Sequence, residues 1–257
     1  MTSMVVHYIE CDMATIDHPT RTTAQRTDET RTTAWSLEPT VPVGPQIYKA
    51  LRRLIVRGEF SPGTAMSEVD IAGRFATSRQ PVREAFIKLA EDGLLEVRPQ
   101  RGTFVRKISI AQVIDARFVR EAIETHIVRE LAAKSDARLV RHLRLQLEEQ
   151  TAIPIDRPDD FMKLDEQFHW TLADAVGRSY GWKVIEDVKL QMDRVRHLTL
   201  RSFPQQKLVR QHTAIVDSIE RSAPDEAERE MRQHLQLILE DLPSVEAQYP
   251  DFFTPST

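Results

Sequence analysis

Four polar side chains in the second half of the chain have the types and spacing of a metal site. The sequence LDEQFH places Asp165 and His169 four residues apart, on one face of a helix and one turn from each other. That spacing suits two ligands of a single ion. His212 and His234 each lie beside the apolar stripe of a separate helical segment. An unpaired imidazole among Leu and Ile side chains costs free energy, and one divalent ion bound by the carboxylate and three imidazoles would supply every missing partner.

Simpler explanations exist for each of these residues. A single His beside an apolar stripe is more often a hydrogen-bonded core or surface residue. We expect His142 to be solvated, and we give His197 the ordinary assignment, with a position facing the pocket as the alternative. Asp165 and His169 could also form a pair on a helix surface. The spacing alone leaves these alternatives open.

A hydrolytic metal centre is a third interpretation, because a bound metal can activate water. The chain has no HExxH-type base, no nucleophile elbow and no Gly-rich phosphate loop. Glu166 follows Asp165 but points about 100° away around the helix. We therefore expect that the protein is not an enzyme.

The helices that must position these groups are predicted from apolar periodicity. From residue 109 to 242 the pattern is helical, with breaks at Pro, Gly and Ser-Asp positions. It predicts an antiparallel bundle of six helices joined by short loops. Their expected bounds are about 110–134, 136–150, 158–176, 180–201, 204–221 and 224–241.

Residues 66–107 show a different pattern, with two short amphipathic helices followed by two strand-like runs. Ser67 is the predicted N-cap of the first helix, Ser78 is that of the second, and Gly93 ends the second helix. The strand-like runs 94–97 and 103–105 are joined by a turn that contains Arg101 and Gly102. The exposed first turn of the second helix carries Ser78, Arg79, Gln80 and Arg83. This order of elements predicts a winged helix-turn-helix.

The charge of this segment favours double-stranded DNA as a partner. Residues 44–107 hold 12 Lys+Arg and 7 Asp+Glu, a net charge of +5, whereas the whole chain has a net charge of −4. A locally positive module attracts phosphate, and an arginine at the start of a recognition helix can make bidentate contacts to guanine. The alternative is a small exposed helix pair with ordinary solvated charges.

The remaining properties of the chain limit its class. A length of 257 residues allows two domains with separate cores. There is no run of eighteen apolar residues and no signal peptide, and the single cysteine, Cys11, cannot form an internal disulfide, so we expect a cytoplasmic protein. Residues 1–43 are rich in threonine and are predicted to be disordered.

The segment 47–105 resembles the DNA-binding domain of the GntR superfamily of bacterial transcription regulators. The shared features are Gly58, Pro62-Gly63, Ser67-Glu68, the SRxPVREA box at 78–85, Gly93-Leu94 and Arg101-Gly102. The resemblance implies operator contacts from Ser78, Arg79, Gln80, Arg83, Arg101 and Gly102. Val69 stands where family members often have arginine, and Gln80 replaces a commoner threonine, so the operator sequence is expected to differ from the usual one.

Residues 110–242 resemble the FCD ligand-binding domain of the FadR-type branch, through DxxFH at 165–169, QHxAI at 211–215 and MxxHL at 231–235. The resemblance implies a divalent metal, zinc or nickel in many members, that helps to bind a small carboxylate effector. Its implied ligands are Asp165, His169, His212 and His234. Arg120 and Arg194 match recurrent arginines and are predicted to bind the effector's acid group through their planar forks, unless they form salt bridges with Glu124 and Asp193.

The expected organisation is therefore mainly α-helical. A disordered segment (1–43) precedes a winged helix-turn-helix domain (44–107), a helical domain for effector binding and dimerisation (108–243) and a C-terminal tail (244–257). The expected function is that of a homodimeric transcription regulator, more often a repressor than an activator. A DNA-binding regulator with a purely structural metal and no effector remains an alternative.

Overall fold

The computed structural model describes residues 35–199 and 205–255. The first helix, α1 (Val43–Val56), is amphipathic and packs against the helix-turn-helix through its buried face. The chain before α1 is held by Gln46, whose side chain accepts a bond from Glu38 N at 2.7 Å and donates one to Val41 O at 2.8 Å. Residues 1–34, which make up most of the predicted disordered segment, lie outside the described residues.

The predicted helix-turn-helix is formed by α2 (Glu68–Arg74) and α3 (Arg79–Glu91). Ser67 caps α2 as expected, since its hydroxyl accepts a hydrogen bond from Asp70 N at 3.3 Å. Ser78 occupies the N-cap position of α3, but its side chain makes no capping bond, so the predicted capping role is wrong. Gly93 ends α3 with a φ of +71°, a left-handed conformation that costs glycine little.

A three-stranded antiparallel sheet forms the wing. Its strands are β1 (Ala65–Met66), β2 (Leu95–Arg98) and β3 (Gly102–Val105), in the order β1-β3-β2. The pairing of Arg98 with Gly102 closes the β2-β3 hairpin over a turn in which Gln100 has a φ of +60°. The sequence predicted only β2 and β3, because a strand of two residues has no periodicity to detect.

The second domain is helical, as predicted, but within the described residues it has seven helices and not six. They are α4 (Ile110–Lys134), α5 (Ala137–Ala152), α6 (Pro158–Ala175), α7 (Ser179–Val188), α8 (Leu190–Thr199), α9 (Gln205–Glu220) and α10 (Pro224–Gln248). The predicted helix 180–201 is divided at Lys189 into α7 and α8. No Pro or Gly marks this break, and the Lys189 side chain is buried there between Asp193 Oδ2 at 2.6 Å and Glu166 Oε1 at 3.1 Å.

The prediction of a C-terminal tail after residue 243 is wrong for the described residues. α10 continues past Pro243 to Gln248, and Phe253 is only 2% exposed in a core that includes Ile108 and Val113. Ile108 exchanges backbone hydrogen bonds with this segment, donating to Phe252 O at 2.8 Å.

Two apolar cores stabilise the helical domain. The larger one lies between α4, α5, α6, α9 and α10, and the smaller one joins α4, α8 and the end of α10 to the C-terminal segment. Among the described residues, no helix is both long enough and apolar enough to cross a bilayer.

Candidate functional site: a metal centre and a DNA-binding surface

The first turn of α3 and the tip of the wing form the predicted DNA-binding surface. All six predicted contact residues are exposed there, whereas the opposite face of α3 is buried by Val82, Ala85, Phe86 and Leu89. The Arg79 guanidinium forms an ion pair with Glu68 at 3.1 Å. It would have to break this ion pair in order to contact DNA. Within the described residues Arg83 has no such carboxylate partner. The predicted contact residues are Ser78, Arg79, Gln80, Arg83, Arg101 and Gly102.

The four predicted metal ligands come together in the interior of the helical domain. Asp165 and His169 project from α6, His212 from α9 and His234 from α10, and one ligand atom of each lies within 4.8 Å of the other three. Each residue is at most 5% exposed. Phe168 stacks on the His212 ring at 4.4 Å and limits its orientation.

A hydrogen bond to Nδ1 orients each of the three imidazoles. Glu124 Oε2 binds His169 Nδ1, Gln150 Oε1 lies 2.8 Å from His212 Nδ1, and Gln211 Oε1 lies 3.2 Å from His234 Nδ1. Because all three partners are acceptors, each Nδ1 carries the proton, and each Nε2 keeps a free lone pair. These are the bonds that orient metal-binding histidines.

The Nε2 atoms face one another without a protein donor between them. His169 Nε2 lies 3.2 Å from His234 Nε2, although in this tautomer neither atom has a proton to share. Metal–nitrogen bonds of about 2.0–2.1 Å place two ligand atoms about 2.9–3.4 Å apart, so this separation fits two ligands of one ion. Within the described residues, His212 Nε2 also lacks a hydrogen-bond partner, and the Asp165 carboxylate contacts the protein through an ion pair between its Oδ1 and Arg196. The donor set therefore fits a divalent metal.

The charges around the cluster favour the forms that bind metal. Burial lowers the pKa of His212 to about 3, and burial together with the neighbouring imidazoles holds the pKa of His234 well below its usual range. Burial alone would raise the pKa of Asp165, but the charge of Arg196 outweighs it and holds this pKa well below the usual range. The result is an ionised carboxylate near two imidazoles, those of His212 and His234, that are held in the neutral form.

Arg196, which the sequence did not indicate, takes the place expected for Arg194. Its Nη2 lies 2.5 Å from Asp165 Oδ1, and its side chain is largely buried. Arg194 points away from the cluster: Nη2 donates to Arg106 O at 2.8 Å, and Nη1 donates to Gln191 Oε1 at 3.1 Å. The structure therefore brings Arg196, and not the predicted Arg194, to the cluster, because residues two apart on a helix point to different sides.

Arg120 remains beside the cluster. It is 2% exposed, and its Nε donates to Glu124 Oε1 at 2.5 Å, so the salt bridge considered as an alternative is present. Arg120 and Glu124 hold each other and, through Glu124, orient His169. The charge of Arg120 and the hydrogen bond from His169 lower the pKa of Glu124 to about 2, although burial opposes this shift.

Two cavities reach the cluster. The first, which we call the apolar cavity, has a volume of about 150 Å³ and is bounded by His234 and by side chains such as Met192 and Leu208. The second, the inter-domain cavity, has a volume of about 220 Å³ and is bounded by Asp165 and His169. Arg120 and Arg196 line both cavities.

The other histidines differ in position. His126 and His142 are exposed. His197 is 8% exposed, lines the inter-domain cavity and lies 3.6 Å from Asp159 Oδ1. It thus has the ordinary protein partner that we assigned to it, although it also borders a cavity.

The fold and the cluster can be compared with known proteins. Residues 44–105 match the family "Bacterial regulatory proteins, gntR family", and residues 115–237 match the FCD domain. The chain is 43% identical over 220 residues to the HTH-type transcriptional repressor RspR of Escherichia coli strain K12, covering 85% of this chain and 96% of that protein. The chain belongs to the GntR family. This GntR protein is a DNA-binding transcription regulator and not an enzyme.

Other relatives agree with the assignment of this GntR regulator. A transcriptional regulator of Streptomyces ambofaciens is 36% identical over 208 residues, which is 80% of this chain and 88% of that protein. Two solved structures share the fold. A GntR regulator of Rhodococcus sp. RHA1 has a TM-score of 0.64 at 24% identity, with coverage of 78% and 98%. McbR/YncC of E. coli has a TM-score of 0.63 at 16% identity, with coverage of 82% and 100%.

Proposed function

We propose that this GntR regulator is a homodimeric repressor whose operator binding is controlled by a small organic acid bound at a divalent metal. The observation that supports this proposal is the buried cluster of Asp165, His169, His212 and His234. Three imidazoles and one carboxylate converge there; among the described residues His212 Nε2 has no hydrogen-bond partner, and the Asp165 carboxylate forms an ion pair with Arg196. Such a cluster is costly to bury unless an ion compensates it.

The DNA-binding part of the proposal rests on the first turn of α3 and the wing. Arg79 and Arg83 would meet base edges in the major groove, and Arg101 at the tip of the wing would contact the phosphate backbone. One winged domain covers one half-site, so a palindromic operator requires two copies. Ile114 and Phe118, one turn apart on α4, are 46% and 69% exposed and form an apolar patch that a second copy could cover. Repression, as opposed to activation, is favoured by the similarity to RspR of Escherichia coli, which is named a transcriptional repressor.

The metal would be held by the four cluster residues, with zinc and nickel suited to imidazole ligands. When bound, a divalent ion supplies a Lewis-acidic centre at which a carboxylate oxygen can bind. Arg120 and Arg196 line both cavities beside this position, and a guanidinium donates to a carboxylate through two parallel hydrogen bonds. We therefore place the effector's acid group between these arginines and the cluster.

Helix α8 offers a physical connection from this site to the DNA-binding domain. Arg196 contacts the ligand Asp165, and Arg194 on the same helix donates to the backbone of Arg106, next to the wing. Gln191 donates to Gly93 O at 3.1 Å, at the end of α3. A ligand that favours one position of α8 would therefore favour one placement of the winged domain. A tenfold preference between two such states corresponds to about 1.4 kcal/mol of coupling.

The test uses full-length protein purified without chelator. We expect about one divalent ion per chain, selective binding to particular genomic DNA fragments, and loss of that binding when an acid from a carboxylate panel is added. His212→Ala should lose the metal and the acid response, whereas His142→Ala, at an exposed position, should lose neither. Bound metal without any acid response would instead show that the metal is purely structural.

A further inference from the structure

The inter-domain cavity has walls from both domains. Its inner part is bounded by Asp165 and His169 of the metal cluster, and its outer part by Arg52, Arg53 and Arg57 of α1. α1 belongs to the DNA-binding domain and packs against α3 and α8. A molecule that extends from the cluster through this cavity would therefore touch the DNA-binding domain directly.

The charges that line the cavity are unbalanced. Seven Lys or Arg side chains and four Asp or Glu side chains border it. Most of the cations have carboxylate partners: Arg57 lies 2.9 Å from Asp159, and Lys189 lies 2.6 Å from Asp193. A cavity lined by an excess of one charge concentrates ligands of the opposite charge.

Arg52 and Arg53 are the exception on the DNA-binding side. Within residues 35–199 and 205–255, neither has a carboxylate in ion-pair contact; Arg52 is half-buried and Arg53 is exposed. Two guanidinium groups that border one cavity without an ion-paired carboxylate favour a ligand that brings negative charge to that edge.

We propose that the effector is a dicarboxylic acid, with one carboxylate beside the metal cluster and the second bound by Arg52 and Arg53. This inference rests on the proposed function and adds the chemical class of the ligand. The first carboxylate uses Arg120 and Arg196, and the second reaches across the domain boundary to α1. Each acid group then has arginine donors of its own.

The second carboxylate gives the ligand a direct contact with the DNA-binding domain. α1 is tied to the end of α3 by the Tyr48 hydroxyl, which donates to Asp92 Oδ2 at 2.5 Å. A diacid that binds Arg52 and Arg53 therefore contacts α1 directly. Through the Tyr48–Asp92 hydrogen bond, α1 is linked to α3, the helix that carries the predicted base contacts. A monoacid reaches the DNA-binding domain only through α8.

The experiment measures binding of straight-chain dicarboxylates of increasing length to metal-loaded full-length protein by calorimetry, with the monocarboxylate of equal chain length as the control ligand. We expect the best diacid to bind at least about tenfold more tightly than its matched monoacid. Arg52→Gln and Arg53→Gln should each weaken diacid binding more than monoacid binding and so remove most of this difference. Lys49→Gln, which removes an exposed charge from the same helix outside the cavity, should keep the difference.

The results separate this inference from the proposed function. Equal binding of diacids and monoacids, or equal losses in Arg52→Gln and Lys49→Gln, would overturn the dicarboxylate assignment and leave an acid-responsive regulator in place. Failure of both ligand classes to bind metal-loaded protein would overturn both proposals. The metal content and thermal midpoint of each variant must match those of the wild type, which excludes misfolding as the cause of a loss.

Discussion

Gln150 should control metal affinity although it is not itself a ligand. Its side chain is 1% exposed on α5 and makes two bonds: Oε1 accepts from His212 Nδ1 at 2.8 Å, and Nε2 donates to Leu164 O at 3.2 Å. Leu164 directly precedes the ligand Asp165. One side chain thus orients one ligand and anchors the backbone beside another.

The substitution Gln150→Met keeps a similar volume and removes both bonds. Loss of such a partner typically lowers metal affinity by about 10–100-fold, or about 1.4–2.7 kcal/mol. The metal-free protein should also lose about 1–3 kcal/mol of stability, because the buried His212 N–H is left without an acceptor. Competition with a chelator of known affinity measures the first quantity, and urea unfolding of metal-free protein measures the second.

Gln146 provides the matched control, because it lies one turn earlier on α5 and is 5% exposed. Its Nε2 donates to Thr171 Oγ1 at 2.9 Å, outside the cluster. Gln146→Met should leave metal affinity within about twofold of the wild type. If Gln150→Met keeps wild-type affinity, or if both variants lose the same amount, Gln150 does not hold the ligands as described.

Three further substitutions test other parts of the structure. Arg83→Ala should weaken operator binding by about 1–3 kcal/mol at unchanged thermal stability, measured by fluorescence anisotropy. Arg194→Met should keep the metal but reduce the acid-induced change in operator affinity by about tenfold, because its bond to Arg106 O is lost. Burial and the bond to Asp92 raise the pKa of Tyr48 to about 12, so its stabilisation is present below about pH 10 and is lost as pH rises through 12. Tyr48→Phe should therefore lower stability by about 1 kcal/mol at pH 8, and less above pH 11.

Local patterns were sufficient to predict the elements of the DNA-binding domain and to place two of the four candidate metal-binding residues on one helix face. The Ser67 cap, the Gly93 stop and the alternation of the wing are short-range features, so the sequence shows them directly. The i,i+4 spacing of Asp165 and His169 fixes their shared face without knowledge of the tertiary structure. Family resemblance then indicated that His212 and His234 complete the set, and the structure places them together.

The partners of these ligands could not be predicted, because they come from distant segments. Glu124 lies on α4 and Gln150 on α5, and nothing in their local sequence shows that they contact histidines on α6 and α9. The misassignment of Arg194 in place of Arg196 has a similar cause. Which side of α8 faces the cluster depends on the break at Lys189, where no Pro or Gly in the sequence marks the end of a helix.

If the metal-bound acid and the operator are coupled through the helical domain, each must weaken the binding of the other by the same factor. Calorimetry would measure the acid's affinity for metal-loaded protein, first free and then saturated with operator DNA. We expect operator-bound protein to bind the acid at least about tenfold more weakly, and the acid to weaken operator binding by the same factor. Equal acid affinity in the two states would contradict the coupling.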